Sequence, residues 1–476
     1  MRIVRGSACS LRAFAFSLLT CLGVCAQAQT AGEPKLPAEA RAKIDGIVQQ
    51  ALKQTGVPSV SIAVVKDGEI AYVHAYGMAR LEPPTAARPE MRYSIGSISK
   101  QFTAAAILLL AEQGKLSLDD PVAKYIPNLT RAGEVTIRQL LSHTSGYQDY
   151  WPQDYVPPFM MQPITADKIL DLWARKPLDF DPGTKWQYSN TNYVIAGLII
   201  EKVSGQSLLA FLQEKVFTPL GIGRVENIDL HRLGETDATG YMRYALGPPR
   251  VAPKEGPGWL FAAGELAMPA AELAKWDLGL LAHRLLKPMS QKEMETEVKL
   301  KDGRSTGYAL GLQIGVMNGH RVVRHGGEVS GFTAQNIVFP DDNVAVVALT
   351  NQDANSASSL IARQIAAALL TPPAPGNAAK LAQARKIFAG LQQGKIDRAL
   401  FTSNANSYFT PQALQDFASS LGPLGEPQDF TATGEQGRGG MTFRGYSVKF
   451  PNVTLNIIIY EMPDGKLEQY LVGPGN

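Results

Sequence analysis

The sequence predicts an α/β fold: an antiparallel sheet covered by helices, an all-helical subdomain set into it, and a small α+β domain towards the C-terminal end. Three observations carry this reading. Tight-hairpin signals cluster at both ends of residues 38–370, a long helical stretch separates them, and proline-rich Thr371-Pro372-Pro373-Ala374-Pro375-Gly376 precedes a fresh run of helices and strands.

In chain order, Arg2, Arg5 and Arg12 precede an apolar run from Ala13 to Cys25 and then Ala26-Gln27-Ala28. A basic start, a short apolar centre and an A-x-A site make a secretory signal peptide over residues 1–28. The run is too short for a spanning helix, and no later stretch is long and apolar enough. The alternative is a lipoprotein signal ending at Cys21 or Cys25, which the preceding Thr20 and Val24 fit poorly. All three cysteines lie in this leader, so the remaining chain is expected to have no disulfide and no thiol nucleophile. The expected location is secreted, in a periplasm.

A helix is expected near 38–55. Strands Ser59–Lys66 and Glu69–Tyr76 flank Asp67-Gly68, a strong hairpin signal. The Ala, Ile and Leu run from Phe102 to Leu110 is helical and stops at Glu112-Gln113-Gly114. Strands Tyr308–Val316 and Arg321–Arg324 flank Asn318-Gly319, and Ala334–Phe339 and Val344–Leu349 flank Pro340-Asp341-Asp342-Asn343. Six strands joined this tightly make one antiparallel sheet, with helices near 38–55 and 356–370 covering one face. After the linker, helices are expected at about 378–393 and 411–420. Strands follow at about 428–434, 440–449, 452–461 and 466–472. The expected organisation is a leader 1–28, a first domain 29–371, a linker 372–376 and a small domain 377–476. Helices followed by a curved sheet resemble a cone-like domain of the nuclear-transport-factor-2 or cystatin kind.

Charge excludes some functions. The chain has 46 Lys and Arg against 43 Asp and Glu, and the leader holds three arginines and no acid, so the remainder is balanced. No basic cluster points to nucleic acid or another polyanion. No HExxH, CxxC or EF-hand pattern occurs, and no metal or cofactor is expected.

The chemistry concentrates in Ser97-Ile98-Ser99-Lys100, where the apolar helix begins. Residues three apart share a helix face, so Lys100 sits one turn beyond Ser97. A serine needs a base to become a nucleophile, and a desolvated lysine is one such base. The plainer alternative is an N-cap serine with a solvated lysine. Two more motifs weigh against it: Tyr188-Ser189-Asn190 and His325-Gly326-Gly327.

The order S-x-x-K, Y-x-N, H-x-G resembles the serine β-lactamase and penicillin-binding-protein superfamily, in the class C branch with its DD-carboxypeptidases, D-amino-acid peptidases and esterases. The resemblance covers about residues 38–370, including Thr136-Ile137-Arg138-Gln139-Leu140-Leu141-Ser142-His143-Thr144-Ser145-Gly146. It implies a β-lactamase/transpeptidase-like fold with its site in a cleft beside the helical region. Ser97 is the implied nucleophile. Lys100 and Tyr188 are the implied proton handlers, and which of them takes the serine proton stays open. Asn190 orients the lysine or the substrate. The backbone N–H groups of Ser97 and Glu328 form the implied oxyanion hole, and Gly326 and Gly327 make room for substrate along the strand. Their alternative is an ordinary β-bulge.

His325 stands where β-lactamases of this superfamily usually carry lysine, and Glu328 where a small polar residue is more common. Both changes weaken the case for an anionic β-lactam substrate; alternatively, Glu328 points to solvent and Arg324 compensates. Tyr147, Tyr150, Trp151, Tyr155, Phe159, Trp259 and Phe261 are candidates for an apolar rim or for plain packing. His143 and Ser145 belong to a loop that the resemblance makes structural. The expected function is a secreted serine hydrolase acting on esters or D-configured amides and peptides. The alternatives are a penicillin-binding DD-carboxypeptidase or β-lactamase, and a β-lactam sensor that does not turn over.

Overall fold

Alternation along the strands dictates a sheet buried on both faces. In β1 (Ser59–Lys66), Val60, Ile62 and Val64 enter one apolar core while Ala63 and Val65 enter another; successive side chains point to opposite faces. The computed structural model describes residues 35–475 other than Pro152, Asp154 and 371–377. The leader 1–28 and the linker 372–376 therefore lie outside the described residues.

Helix α1 (Ala38–Thr55) precedes β1 and ends on left-handed Gly56. Strand β2 (Glu69–Arg80) and the two-residue β3 (Thr85–Ala86) follow. The helical region includes α2 (Ser99–Glu112), α3 (Ile137–Leu141), α4 (Asn190–Ser204) and α5 (Ala270–Leu281). The chain returns as β4 (Gln313–Met317), β5 (His320–Val329), β6 (Phe332–Phe339) and β7 (Val344–Thr350), then α6 (Ala357–Leu369). The sheet order is β3-β2-β1-β7-β6-β5-β4, and its main-strand pairs are antiparallel, with Val64 opposite Val346 and His325 opposite Asn336. Helices α1 and α6 cover one face around Ile44, Val48, Ile361 and Ile365; α2, α4 and α5 share the core on the other.

Two strand expectations are corrected. The strand expected from Tyr308 starts only at Gln313, because Gly307 and Gly311 are left-handed (φ +71° and +76°) and turn the chain. A Cβ on Gly311 would also stand 2.9 Å from the Lys100 carbonyl oxygen, so the turn packs directly against α2. The strand expected to end at Arg324 continues through the glycines to Val329, in unbroken register with β6. Gly326 and Gly327 are regular strand residues, not a bulge.

Further on, α7 (Ala378–Gln392) and α8 (Pro411–Leu421) pack on a four-stranded meander. Its strands are β8 (Asp429–Arg438), β9 (Met441–Lys449), β10 (Thr454–Glu461) and β11 (Leu467–Pro474). This part has its own core around Phe388, Phe401, Phe430 and Tyr446. Strand β8 runs beside β4 and so covers an edge of the larger sheet, an arrangement that keeps unpaired backbone from templating aggregation.

Candidate active site

Two glycines place the serine. Gly96, left-handed at φ +51°, opens the 3₁₀ turn Gly96–Ile98 that feeds α2. A Cβ on Gly96 would stand 2.7 Å from the Glu328 backbone nitrogen. One on Gly327 would stand 1.9 Å from the Ile95 oxygen and 3.2 Å from the Ser97 nitrogen. Only bare backbone lets the serine turn lie on β5. This contact brings the backbone nitrogens of Ser97 and Glu328 to one spot, as a pair of oxyanion donors requires.

Lys100, in the first turn of α2, is fully buried. Its Nζ lies 2.9 Å from Ser97 Oγ, 2.8 Å from Asn190 Oδ1 and 2.7 Å from the Ala263 carbonyl oxygen. Burial pushes its pKa down to about 7, against the opposing pull of the Asp149 carboxylate. Burial raises the Tyr188 phenol well above the usual value, with the Ser97 side chain opposing the shift. The ring centroid of Tyr188 is 5.0 Å from Lys100 Nζ. Of the two proton handlers, the lysine is the one whose basic, unprotonated form is accessible near pH 7.

Asn190 is aimed by a residue the sequence did not disclose. The Asp149 carboxylate accepts from the Asn190 backbone N–H (2.9 Å) and side-chain amide (3.2 Å), which turns the amide oxygen to Lys100. Burial raises the Asp149 carboxyl, while N–H groups of Asn190 and Trp151 lower it. Nothing local marks Asp149, since its partner lies 41 residues on. The loop at His143 holds Tyr188 in turn. His143 Nδ1 accepts from the Ser189 N–H at 3.2 Å, its carbonyl oxygen accepts from the Gln187 N–H at 3.0 Å, and its ring centroid is 4.3 Å from that of Tyr188.

His325 is buried on β5. Its Nδ1 is 2.5 Å from the Gly326 carbonyl oxygen and its Nε2 is 2.7 Å from the Tyr308 hydroxyl. Burial, and then the Lys100 charge, push its pKa down to about 3, so the ring is neutral. Glu328 is exposed, and its carboxylate accepts from the Ala354 N–H at 2.7 Å.

Ser97, Tyr188, Asn190, His325, Gly326, Gly327 and Glu328 all line one cleft of about 430 Å³, with Lys100 beneath the serine. Of the expected aromatic rim, Tyr150, Trp151 and Tyr155 line this cleft. Tyr147 and Trp259 are buried, and Phe159 packs on Trp259. Among the described residues, no cluster of three or more His, Cys, Asp or Glu is arranged to hold a metal, and no single helix is long and apolar enough to cross a membrane.

A buried polar chain supports the site from behind. Gln101 Nε2 donates to Asn336 Oδ1 (3.1 Å), and Asn336 Nδ2 donates to Asp277 Oδ1 (2.6 Å), leaving Asp277 Oδ2 buried without a partner among the described residues. Burial raises the Asp277 carboxyl from 3.8 to about 8. The fold therefore holds a proton that the unfolded chain releases above about pH 4. This contribution to stability is full at low pH and is lost as pH climbs towards 8. Asp277→Asn is expected to flatten that fall and to be about 1–3 kcal/mol more stable than the parent at pH 8. Denaturant melts at pH 5 and pH 8 check this; equal pH slopes in both proteins contradict it.

An apolar-cored antiparallel sheet, a serine at the start of a buried helix and a lysine one turn on define a serine acyl-transfer fold. The β-lactamase family pattern matches residues 44–370, and the chain belongs to the β-lactamase family. It is 28% identical over 320 residues to penicillin-binding protein 4* of Bacillus subtilis, covering 62% of this chain and 68% of that protein. It is 30% identical over 302 residues to a D-aminopeptidase of Brucella anthropi, covering 62% of this chain but only 56% of that protein. Among solved structures, a D-stereospecific amidohydrolase from Streptomyces sp. overlays with a TM-score of 0.59 at 27% identity, over 67% of this chain and 96% of that one. A penicillin-binding protein homologue from Pyrococcus abyssi shares the fold over 91% of this chain and 99% of its own (TM-score 0.61, 23% identity).

Proposed function

We propose that the chain is a secreted serine hydrolase that passes through an acyl-Ser97 intermediate and cleaves D-configured amides or peptides and esters. The observation that carries it is the fully buried Lys100 amine 2.9 Å from Ser97 Oγ, its pKa brought to about 7. In its neutral form Lys100 takes the Ser97 proton as Oγ bonds to the carbonyl carbon. The resulting oxyanion lies at the Ser97 and Glu328 N–H groups. Tyr188, in the same cleft as Ser97 and kept a neutral phenol, passes a proton to the departing nitrogen or oxygen as its bond to carbon breaks, and Lys100 restores the phenol. Water then releases the acyl group by the reverse path. Asp149 and Asn190 keep the lysine aimed.

Similarity to a D-aminopeptidase and a D-stereospecific amidohydrolase supports the substrate class. The leader read over residues 1–28 supports secretion. Similarity to penicillin-binding protein 4* favours a second reading, a penicillin-binding peptidase.

The test mixes the mature protein briefly with D-phenylalaninamide or penicillin and follows protein mass and small molecule together. Turnover of the amide with the drug intact supports the proposal. A lasting adduct on Ser97 favours the second reading, and drug consumed without an adduct means a β-lactamase. Because the neutral amine is the active base, kcat/KM is expected to rise about tenfold per pH unit below the lysine pKa of about 7 and to level above it. A flat profile from pH 5 to 8 contradicts Lys100 as the base.

A further inference from the structure

The nitrogens of His325 are both engaged. A carbonyl oxygen only accepts, so the contact of Nδ1 with the Gly326 oxygen puts the ring proton on Nδ1. Nε2 of the neutral ring is then an acceptor, and the Tyr308 hydroxyl at 2.7 Å donates to it. The ring therefore offers no free nitrogen to the cleft that His325 lines. The groups around it are Lys100 from α2, His143 after α3, Tyr188 before α4 and Tyr308 from the turn before β4; from β6, Asn336 stands opposite it in register and Gln335 donates to its backbone carbonyl oxygen. Lys100 repels a proton from it, and among the described residues no carboxylate attracts one. Among the described residues lining the cleft there is no lysine or arginine.

We infer that Tyr308 is a specificity-determining residue: by donating to Nε2 of His325 it saturates that ring and joins burial and the Lys100 charge in keeping it uncharged, so the cleft takes an uncharged group beside the scissile bond and discriminates against a carboxylate. Tyr308 acts through His325, as a positioning residue. Its own place is set by the Gly307–Gly311 turn, and its ring packs against His143 and Trp186 at 4.8 and 5.9 Å between centroids. In Tyr308→Phe, Nε2 loses its donor, the ring protonates more readily, and its cation faces the cleft. The inference rests on the hydrolase reading above.

The experiment compares the parent and Tyr308→Phe on a matched pair, methyl 4-acetoxybenzoate and 4-acetoxybenzoate, from pH 8 to pH 5. The quantity read is the ratio of the two kcat/KM values, which cancels any loss common to both esters. Lys100 gains charge over this range in both proteins, so the parent is the reference. The preference for the uncharged ester is expected to fall at least about tenfold further in Tyr308→Phe than in the parent. Parallel ratios overturn the inference. In ¹⁵N-histidine spectra of the same proteins, with His325→Gln for assignment, His325 is expected to stay neutral and Nδ1-protonated from pH 5 to 8 in the parent and to titrate within that range in Tyr308→Phe. Titration in the parent, or none in the variant, also overturns it. If neither ester is hydrolysed, the hydrolase reading fails and these spectra still decide the state of His325.

Discussion

Ser97→Ala is expected to lower kcat/KM by about 10⁴-fold or more while leaving the fold in place. The hydroxyl contacts the buried amine, and it belongs to the residue whose backbone nitrogen packs against Gly327 on β5. Its removal deletes the bond-forming atom, so no covalent intermediate forms and only binding and oxyanion stabilisation remain. Stability should change little, because Lys100 keeps its contacts with Asn190 Oδ1 and the Ala263 oxygen. The check is hydrolysis of an uncharged ester alongside a thermal melt. Unchanged turnover in a folded variant removes Ser97 from the mechanism.

Lys100→Met should cost about 10²–10⁴-fold in kcat/KM and abolish the rise in activity around pH 7. Methionine fills nearly the same volume but takes no proton, so Ser97 stays a neutral alcohol. The variant also separates catalysis from stability. With its pKa depressed from 10.5 to about 7 in the fold, Lys100 binds fewer protons there than in the unfolded chain between those values. Parent stability therefore gains as pH rises from about 7 towards 10.5, and the variant lacks that gain. Removing the amine also leaves Asn190 Oδ1 and the Ala263 oxygen without this donor, a cost of about 1–3 kcal/mol for each group left unsatisfied. Melts at pH 7 and pH 9 measure both effects. An activity limb near pH 7 that survives in the variant assigns the titration to another group.

Much of the architecture was readable because it is local. Asp67-Gly68 and Asn318-Gly319 specify hairpins through the backbone conformations those residues tolerate. Three-residue spacing on a helix put Lys100 beside Ser97 without knowledge of the rest of the fold. The strand misread at Tyr308 has the same origin: Tyr308, Leu310 and Leu312 alternate like a strand, but Gly307 and Gly311 bend the chain so that they fill the core instead.

By itself, then, the sequence determined the sheet-forming hairpins, the helix that carries Lys100 one turn beyond Ser97, and the set of residues that meet in the cleft. Only the tertiary structure decided their electrical state. Burial brings Lys100 to about 7, Asp149 turns Asn190 towards it across 41 residues, and Tyr308 meets the ring of His325 17 residues on. Desolvation and hydrogen bonds between distant segments exist only once the core has closed around them, so no pattern along the chain announces them.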